Sequence, residues 1–306
     1  MGGLLPRLSG SYTVPAVVAL ALLLVGVLQG PTSCGWPPTG EEVKTHMSIR
    51  GRRTRILMYH SIAELENDPN MLCTSPERFE AQMRYLKRHD LRGVSTSELR
   101  RAKSTGDARD LVGLTFDDGY KDFLHTAVPV LESFGFSATV FVVVGMLGKE
   151  NCWNHTHNPR PRMELLGATD LREVSKRGME VGSHSMTHAD LAGLNPQTLE
   201  AEVKDSRQML SELLGEEVEG FCYPYGSLDR AAVEAARQAG YAYACGWRAQ
   251  PEHSVYAWPR IPISEKDNDL RVGVKLKVYS QYAWAQLNLR PKVAHLASRS
   301  ERSSSS

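Results

Sequence analysis

The sequence predicts an α/β fold built on a parallel sheet, and three features of its 306 residues carry that prediction. Short β-rich runs alternate with helical patterns from Arg55 onward. The runs are nearly continuous in apolar character, as strands buried on both faces are, and recur at intervals of roughly 25 to 40 residues. Two architectures satisfy this pattern, a (β/α) barrel and an open doubly wound sheet, and both put function at the C-terminal ends of the strands.

The elements follow in order. RILMYHSI reads as the first strand, SPERFEAQMRYLKRH as a helix, LVGLTF as a strand, residues 122–134 as a helix and ATVFVVV as a strand. LREVSKRG, MEVGSH, a long helix after Asn195-Pro196, FCYPYG, the Asp229-capped DRAAVEAARQAG and YAYACGW continue the alternation. Asp and Pro stand at helix starts and Gly240 at a helix stop, where capping favours them. VGVKLKVYSQYAWAQL is a basic, aromatic helix candidate expected to pack back on the sheet, and the final RSERSSSS reads as a disordered tail.

The composition is that of a globular chain, 42% hydrophobic and 23% charged. Thirty-six basic residues against 35 acidic ones leave a charge of +1, so no summed field draws the protein to nucleic acid. Five cysteines without a CxxC pair exclude a cysteine-built zinc site and a dense disulfide framework. Residues 14–28, VPAVVALALLLVGVL, form an uncharged apolar run that reads as an export signal or signal anchor. That reading places the protein outside the cell or anchored facing outward. Gly40-Glu41-Glu42-Val43 ahead of Met47 also fits translation starting at Met47, which would leave the product cytoplasmic. The expected organisation is 1–46 as signal or anchor and linker, 47–290 as one catalytic domain, and 291–306 as tail.

Chemistry-bearing residues fall where strands are expected to end. Asp117 and Asp118 follow an apolar strand and precede Gly119. Adjacent strand residues face opposite ways, so both carboxylates reach one site only if the strand ends there, with Gly119 giving the turn its freedom. One carboxylate can then bind a cation while the other accepts a proton. His184 and His188 follow the next candidate strand four residues apart, and a helical turn or a tight loop would bring both to one cation. A carboxylate and two imidazoles make an open three-ligand metal site. His155 and His157, without a carboxylate, read as a loop at the cleft rim, where Trp153 would stack on a sugar or pack in the core. The strand ending in Tyr223-Pro224-Tyr225-Gly226 offers the Tyr225 amide as an oxyanion donor.

TFDDG, HSMTH and FCYPYG, in this order and with ILMYHSI before and WPRIPI after, resemble the motifs of the polysaccharide deacetylase family, carbohydrate esterase family 4 with its NodB-like domain. The resemblance covers about residues 55–265, and the MYH and YPYG variants are similar to the subgroup acting on poly-N-acetylglucosamine. It implies a distorted (β/α) barrel and removal of acetyl groups from N-acetylated glycans. It further implies one divalent ion, usually zinc, on Asp118, His184 and His188, with Asp117 as general base and the Tyr225 amide on the oxyanion.

Two departures follow. Members usually carry an arginine in the third motif that orients the base, and Phe221-Cys222 stand there instead, so Arg260 in WPRIPI is expected to take that place. The Leu-x-x-His-like strand that supplies the family's general acid is missing, and His295 lies too near the tail, so His60 is the candidate acid. A small non-sugar amide as substrate and a non-catalytic sugar-binding module are the alternative functions. The intact ligand set and base weigh against the second.

Overall fold

Why eight short strands form one curled sheet follows from their pairing. In the computed structural model every strand pairing is parallel, in the order β7-β6-β5-β4-β3-β1-β8, with β2 beside β3. The strands are β1 Ile56–Tyr59, β2 Arg92–Val94, β3 Leu111–Phe116, β4 Thr139–Val142, β5 Glu180–Ser183, β6 Gly220–Cys222, β7 Tyr243–Cys245 and β8 Ile261–Pro262. β2 and β4 share one edge of β3 at different heights, Leu111–Gly113 pairing with β2 and Thr115–Phe116 with β4. A parallel bridge Cys245↔Trp258 ties the segment ahead of β8 to β7, while β8 itself pairs with β1. The two ends of the sheet thereby approach one another, and the curl is the distorted (β/α) barrel.

The structure describes residues 54–277 except 66, 67, 69, 154–161 and 248–254, all in one compact unit. The apolar run 14–28, His155, His157, His295, the tail and the part of VGVKLKVYSQYAWAQL beyond Lys277 lie outside the described residues. No helix among the described residues is long and apolar enough to cross a membrane. Residues 269–277 are helical, with Val272 and Leu276 buried, so the described start of that segment does pack on the domain.

Helices follow the capping signals. Helix α1, Pro76–Arg88, has Ser75 as N-cap accepting from the Arg78 amide. The others are α2 Thr96–Thr105, α3 Val128–Phe134, α4 Ala168–Lys176, α5 Pro196–Glu200, α6 Ser206–Leu214 and α7 Arg230–Gln238. Asn195 and Asp229 cap α5 and α7 through their side chains. β2 and α2 stand in a stretch where the sequence pattern gave no element, because a three-residue strand with an exposed Arg92 has too little alternation to see.

Alternation along each strand sorts the side chains into two environments. Leu57, Tyr59, Val112, Leu114, Phe116, Val140, Val142, Val181, Phe221 and Ala244 pack under the helices. Ile56, Leu111, Phe141, Cys222, Tyr243 and Cys245 form a separate cluster inside the curl. Glycines make room there: a Cβ on Gly182 would meet Phe141 at 2.6 Å and one on Gly220 would meet the Tyr243 hydroxyl at 2.2 Å. The end of the curl remote from the strand C-termini is closed by Glu180, which accepts from the Tyr243 hydroxyl at 2.7 Å, the Thr139 hydroxyl at 2.7 Å and the Ser97 amide at 2.9 Å.

Removing this shared acceptor strands the Tyr243 hydroxyl and the Ser97 amide at once, while the Thr139 hydroxyl keeps Thr96 Oγ1 within 3.1 Å. Glu180→Ala is expected to destabilise the domain by roughly 1–3 kcal/mol, the usual cost of leaving buried donors unpaired. Urea denaturation checks it, and an unchanged midpoint would show that the network contributes nothing.

Candidate metal centre and active site

Continuing the inward parity of the strands brings the reactive residues to one mouth. Asp117 extends the series Leu111, Gly113, Thr115; His60 follows Ile56 and Met58; His184 follows Glu180 and Gly182. Asp118 would face outward if β3 ran on. The strand instead ends at Phe116, and both Asp118 (φ 73) and Gly119 (φ 76) adopt left-handed backbone that turns the second carboxylate back to the same site. Glycine is required at 119, since a Cβ would lie 2.8 Å from Val142 Cγ1.

His184 and His188 sit on a tight loop, not a helical turn, with Ser185 (φ 68) and His188 (φ 65) left-handed. The loop is pinned to the end of β4: the His184 amide donates to the Val142 carbonyl at 2.8 Å, and the Gly145 amide to that of Met186 at 2.8 Å. Glu202, buried behind it, accepts from the Met186 and Thr187 amides at 3.0 and 2.9 Å and from the Thr187 hydroxyl. Ser185 Oγ accepts from the His188 amide at 3.0 Å. Glu202 had no sequence signal beyond lying on a helix.

Asp118, His184 and His188 converge, each buried and each offering a ligand atom. Asp118 Oδ1 lies 3.5 Å from His184 Nε2 and 3.2 Å from His188 Nε2. These spacings match the roughly 3.3 Å between two ligands held about 2.0 Å from a tetrahedral ion. The far ring nitrogens are already engaged: His184 Nδ1 is 2.8 Å from the Cys222 carbonyl, and His188 Nδ1 is 3.0 Å from the Tyr225 hydroxyl. A carbonyl only accepts, so His184 Nδ1 carries a proton, and Nε2, which faces Asp118, is the atom whose lone pair a cation would take on displacing its proton. Burial would push the Asp118 carboxyl up, but the hydrogen bonds from His184 and His188 outweigh it and hold the group well below the usual range. The donor set fits a divalent ion.

Asp117 has a different environment. Arg260, 1% exposed, donates to it through both guanidinium arms, NH1 to Oδ1 at 2.6 Å and NH2 to Oδ2 at 2.7 Å. Arg260 is fixed in turn by Nε donating to the Gly246 carbonyl at 3.0 Å and by the Phe141 ring beneath it, 5.8 Å to the centroid. Burial acts to raise the Asp117 carboxyl, and the charge and hydrogen bonds of Arg260, with His184 and His60 behind them, bring it below the ordinary value. Asp117, His184 and Cys222 also cluster, but both carboxylate oxygens belong to Arg260, so that group is not organised for a cation. Cys222, at the third-motif position, lies 3.0 Å from Arg260 NH2 and leaves the space into which the guanidinium reaches.

His60 is half-buried at the end of β1, near enough for its charge to act on both carboxylates. Its neighbours are held by Asp122, which accepts from the Ser61 hydroxyl at 2.7 Å and the Ile62 amide at 2.9 Å. Tyr225 (φ 58) follows β6, 39% exposed, with its side chain on His188 as well as its backbone at the mouth. Trp247, 40% exposed, follows β7 and packs against Gly226. Cys152, Cys222 and Cys245 are free thiols.

The profile of the family described as polysaccharide deacetylase matches residues 105–244. A Bacillus subtilis (strain 168) protein named as a polysaccharide deacetylase, YxkH, is 29% identical over 216 residues, 68% of this chain and 71% of that protein. The poly-β-1,6-N-acetyl-D-glucosamine N-deacetylase of Staphylococcus aureus (strain MRSA252) is 25% identical over 69% of this chain and 73% of its own length. Among solved structures, the Streptococcus pyogenes deacetylase PplD superposes with a TM-score of 0.64 at 24% identity, over 74% of this chain and 99% of that one, and so shares the fold. Motifs, barrel and sequence kinship agree in likening the chain to the polysaccharide deacetylase family.

Proposed function

We propose that the protein is a metal-dependent deacetylase of N-acetylglucosamine polymers of the cell wall or extracellular matrix. The observation that carries this reading is the division between the two carboxylates: Asp118 shares a cation site with His184 and His188, while Asp117 is held apart by Arg260. A hydrolase of acetamides needs both parts, an electrophilic centre and a base that stays ionised beside it.

Asp118, His184 and His188 would hold the ion, with zinc the natural occupant of two imidazoles and a carboxylate. When bound, it supplies Lewis acidity that polarises the acetamide carbonyl and makes water more acidic. Asp117 accepts the proton of the attacking water, and Arg260 keeps that carboxylate ionised and fixes its plane. The Tyr225 amide donates to the oxygen that gains charge, and His60 delivers a proton to the departing amine. Water and acetamide thereby become acetate and a free amine.

Two features favour a polymer over a small amide. Tyr225 and Trp247 keep two-fifths of their surface exposed on neighbouring strand ends, as rings that stack on sugars must. The S. aureus relative is named for a poly-N-acetylglucosamine substrate. The apolar run 14–28 fits export to where such polymers lie.

Acetate release from poly-β-1,6-N-acetylglucosamine, chitooligosaccharides and peptidoglycan tests the proposal. Chelation is expected to abolish release and added zinc to restore it, while Asp117→Asn should lower kcat by about 10²–10⁴-fold, the worth of a general base. Release that survives both overturns the mechanism.

Arg260→Ala removes one partner of a buried pair and should destabilise by about 3–5 kcal/mol. Arg260→Lys keeps the charge but not the two-armed contact. Below the unfolding midpoint it should lower kcat more than it raises KM, and a wild-type kcat would exclude the orienting role.

A further inference from the structure

Trp153 packs in a small core cluster and does not stand at an exposed rim, and one face of it meets a candidate metal ligand. Its indole lies against the His188 imidazole, centroids 4.5 Å apart and planes at 25°, and it is only 9% exposed. The tryptophan also packs with Tyr120, Val143 and Leu165, with Met146 and Met163 beside them. Its approach is set by an antiparallel bridge Glu150↔Glu164, next to which the Asn151 side chain accepts from the Met163 amide at 2.6 Å. Tyr225 meets His188 at a steep angle, centroids 4.6 Å apart and planes at 77°, with its hydroxyl at Nδ1. One imidazole is thus held in plane by a stacked ring and in rotation by a hydrogen bond.

The indole N–H adds a second observation, since it is buried and meets no acceptor among the described residues. No hydrogen bond of that N–H among the described residues sets the ring's position. The contact that fills its face is His188.

We infer that Trp153 is a positioning residue of the metal centre, stacking on His188 so that Nε2 stays aimed at the ion. The inference rests on the reading of Asp118, His184 and His188 as ligands. It assigns the function to the aromatic face and none to the N–H, which makes phenylalanine the conservative replacement and leucine, apolar but without a flat face, the control for packing alone.

The test is zinc affinity of the full chain, measured by competition with a chromophoric chelator and without substrate, for wild type, Trp153→Phe, Trp153→Leu, Trp153→Ala and Asp118→Ala. Circular dichroism and thermal melting serve as controls for folding. Trp153→Leu and Trp153→Ala should bind zinc at least about 10-fold more weakly, the usual effect of losing a group that orients a ligand, while Trp153→Phe keeps wild-type affinity. Should the alanine variant not fold, the leucine and phenylalanine pair decides. Folded leucine or alanine variants with wild-type affinity, or a phenylalanine variant as weak as leucine, overturn the inference. Wild type binding no more zinc than Asp118→Ala overturns the ligand reading and this inference with it, an outcome distinct from the first.

Discussion

The ion pair between Asp117 and Arg260 is the constraint on which the active end of the barrel depends. A carboxylate and a guanidinium buried together are tolerated only with both partners and close geometry, because desolvation penalises each charge. Here both oxygens are matched by both arms of the fork, and the remaining Arg260 donors face the Gly246 carbonyl, the Thr115 hydroxyl and the Cys222 sulfur. The partners are 143 residues apart, so the pair can form only if the chain curls. Trp258 must pair with β7 and Ile261–Pro262 with β1 for Arg260 to enter between them. Barrel closure and the state of Asp117 are one event.

That dependence explains what the sequence revealed. The strands on which the site is built were legible as apolar runs, and inward parity follows once each is placed. Asp117, Asp118, His184 and His188 stood out because titratable residues after buried strands have few structural uses. Arg260 was legible only through the family resemblance and the missing motif-three arginine, since its own segment carries no charge pattern. Glu202, Asp122 and Trp153 were illegible in their roles: each acts through the fold on a residue far from it in sequence, and no local pattern encodes such a contact. The short β2 was hidden, and the choice between a helical turn and a tight loop for the two histidines was left open, for a related reason: both are fixed by neighbours and not by local propensity.

The strained backbone shows where stability has been given up. Of the six non-glycine residues with positive φ among those described, Asp118, Ser185, His188 and Tyr225 lie at the site. Each such residue costs about 1–3 kcal/mol unless its surroundings over-determine it. The surroundings do: Glu202 and Ser185 fasten the histidine loop, Val142 and Gly145 pin it to β4, and Tyr225 is tied to His188. The strained conformations have a common effect, turning side chains or amides back toward the mouth where the strand direction would carry them away.

Strain offset by bonds that need no cation implies a centre built before the ion arrives. The ligand atoms already stand 3.2–3.5 Å apart, with the far nitrogens of both imidazoles engaged, so binding need not reorganise the loop. Affinity for a divalent ion and folding should then be separable here, unlike in small domains whose folding free energy is their metal-binding energy. The barrel supplies the reason: its apolar clusters bury enough surface to hold the strained turns without a cation.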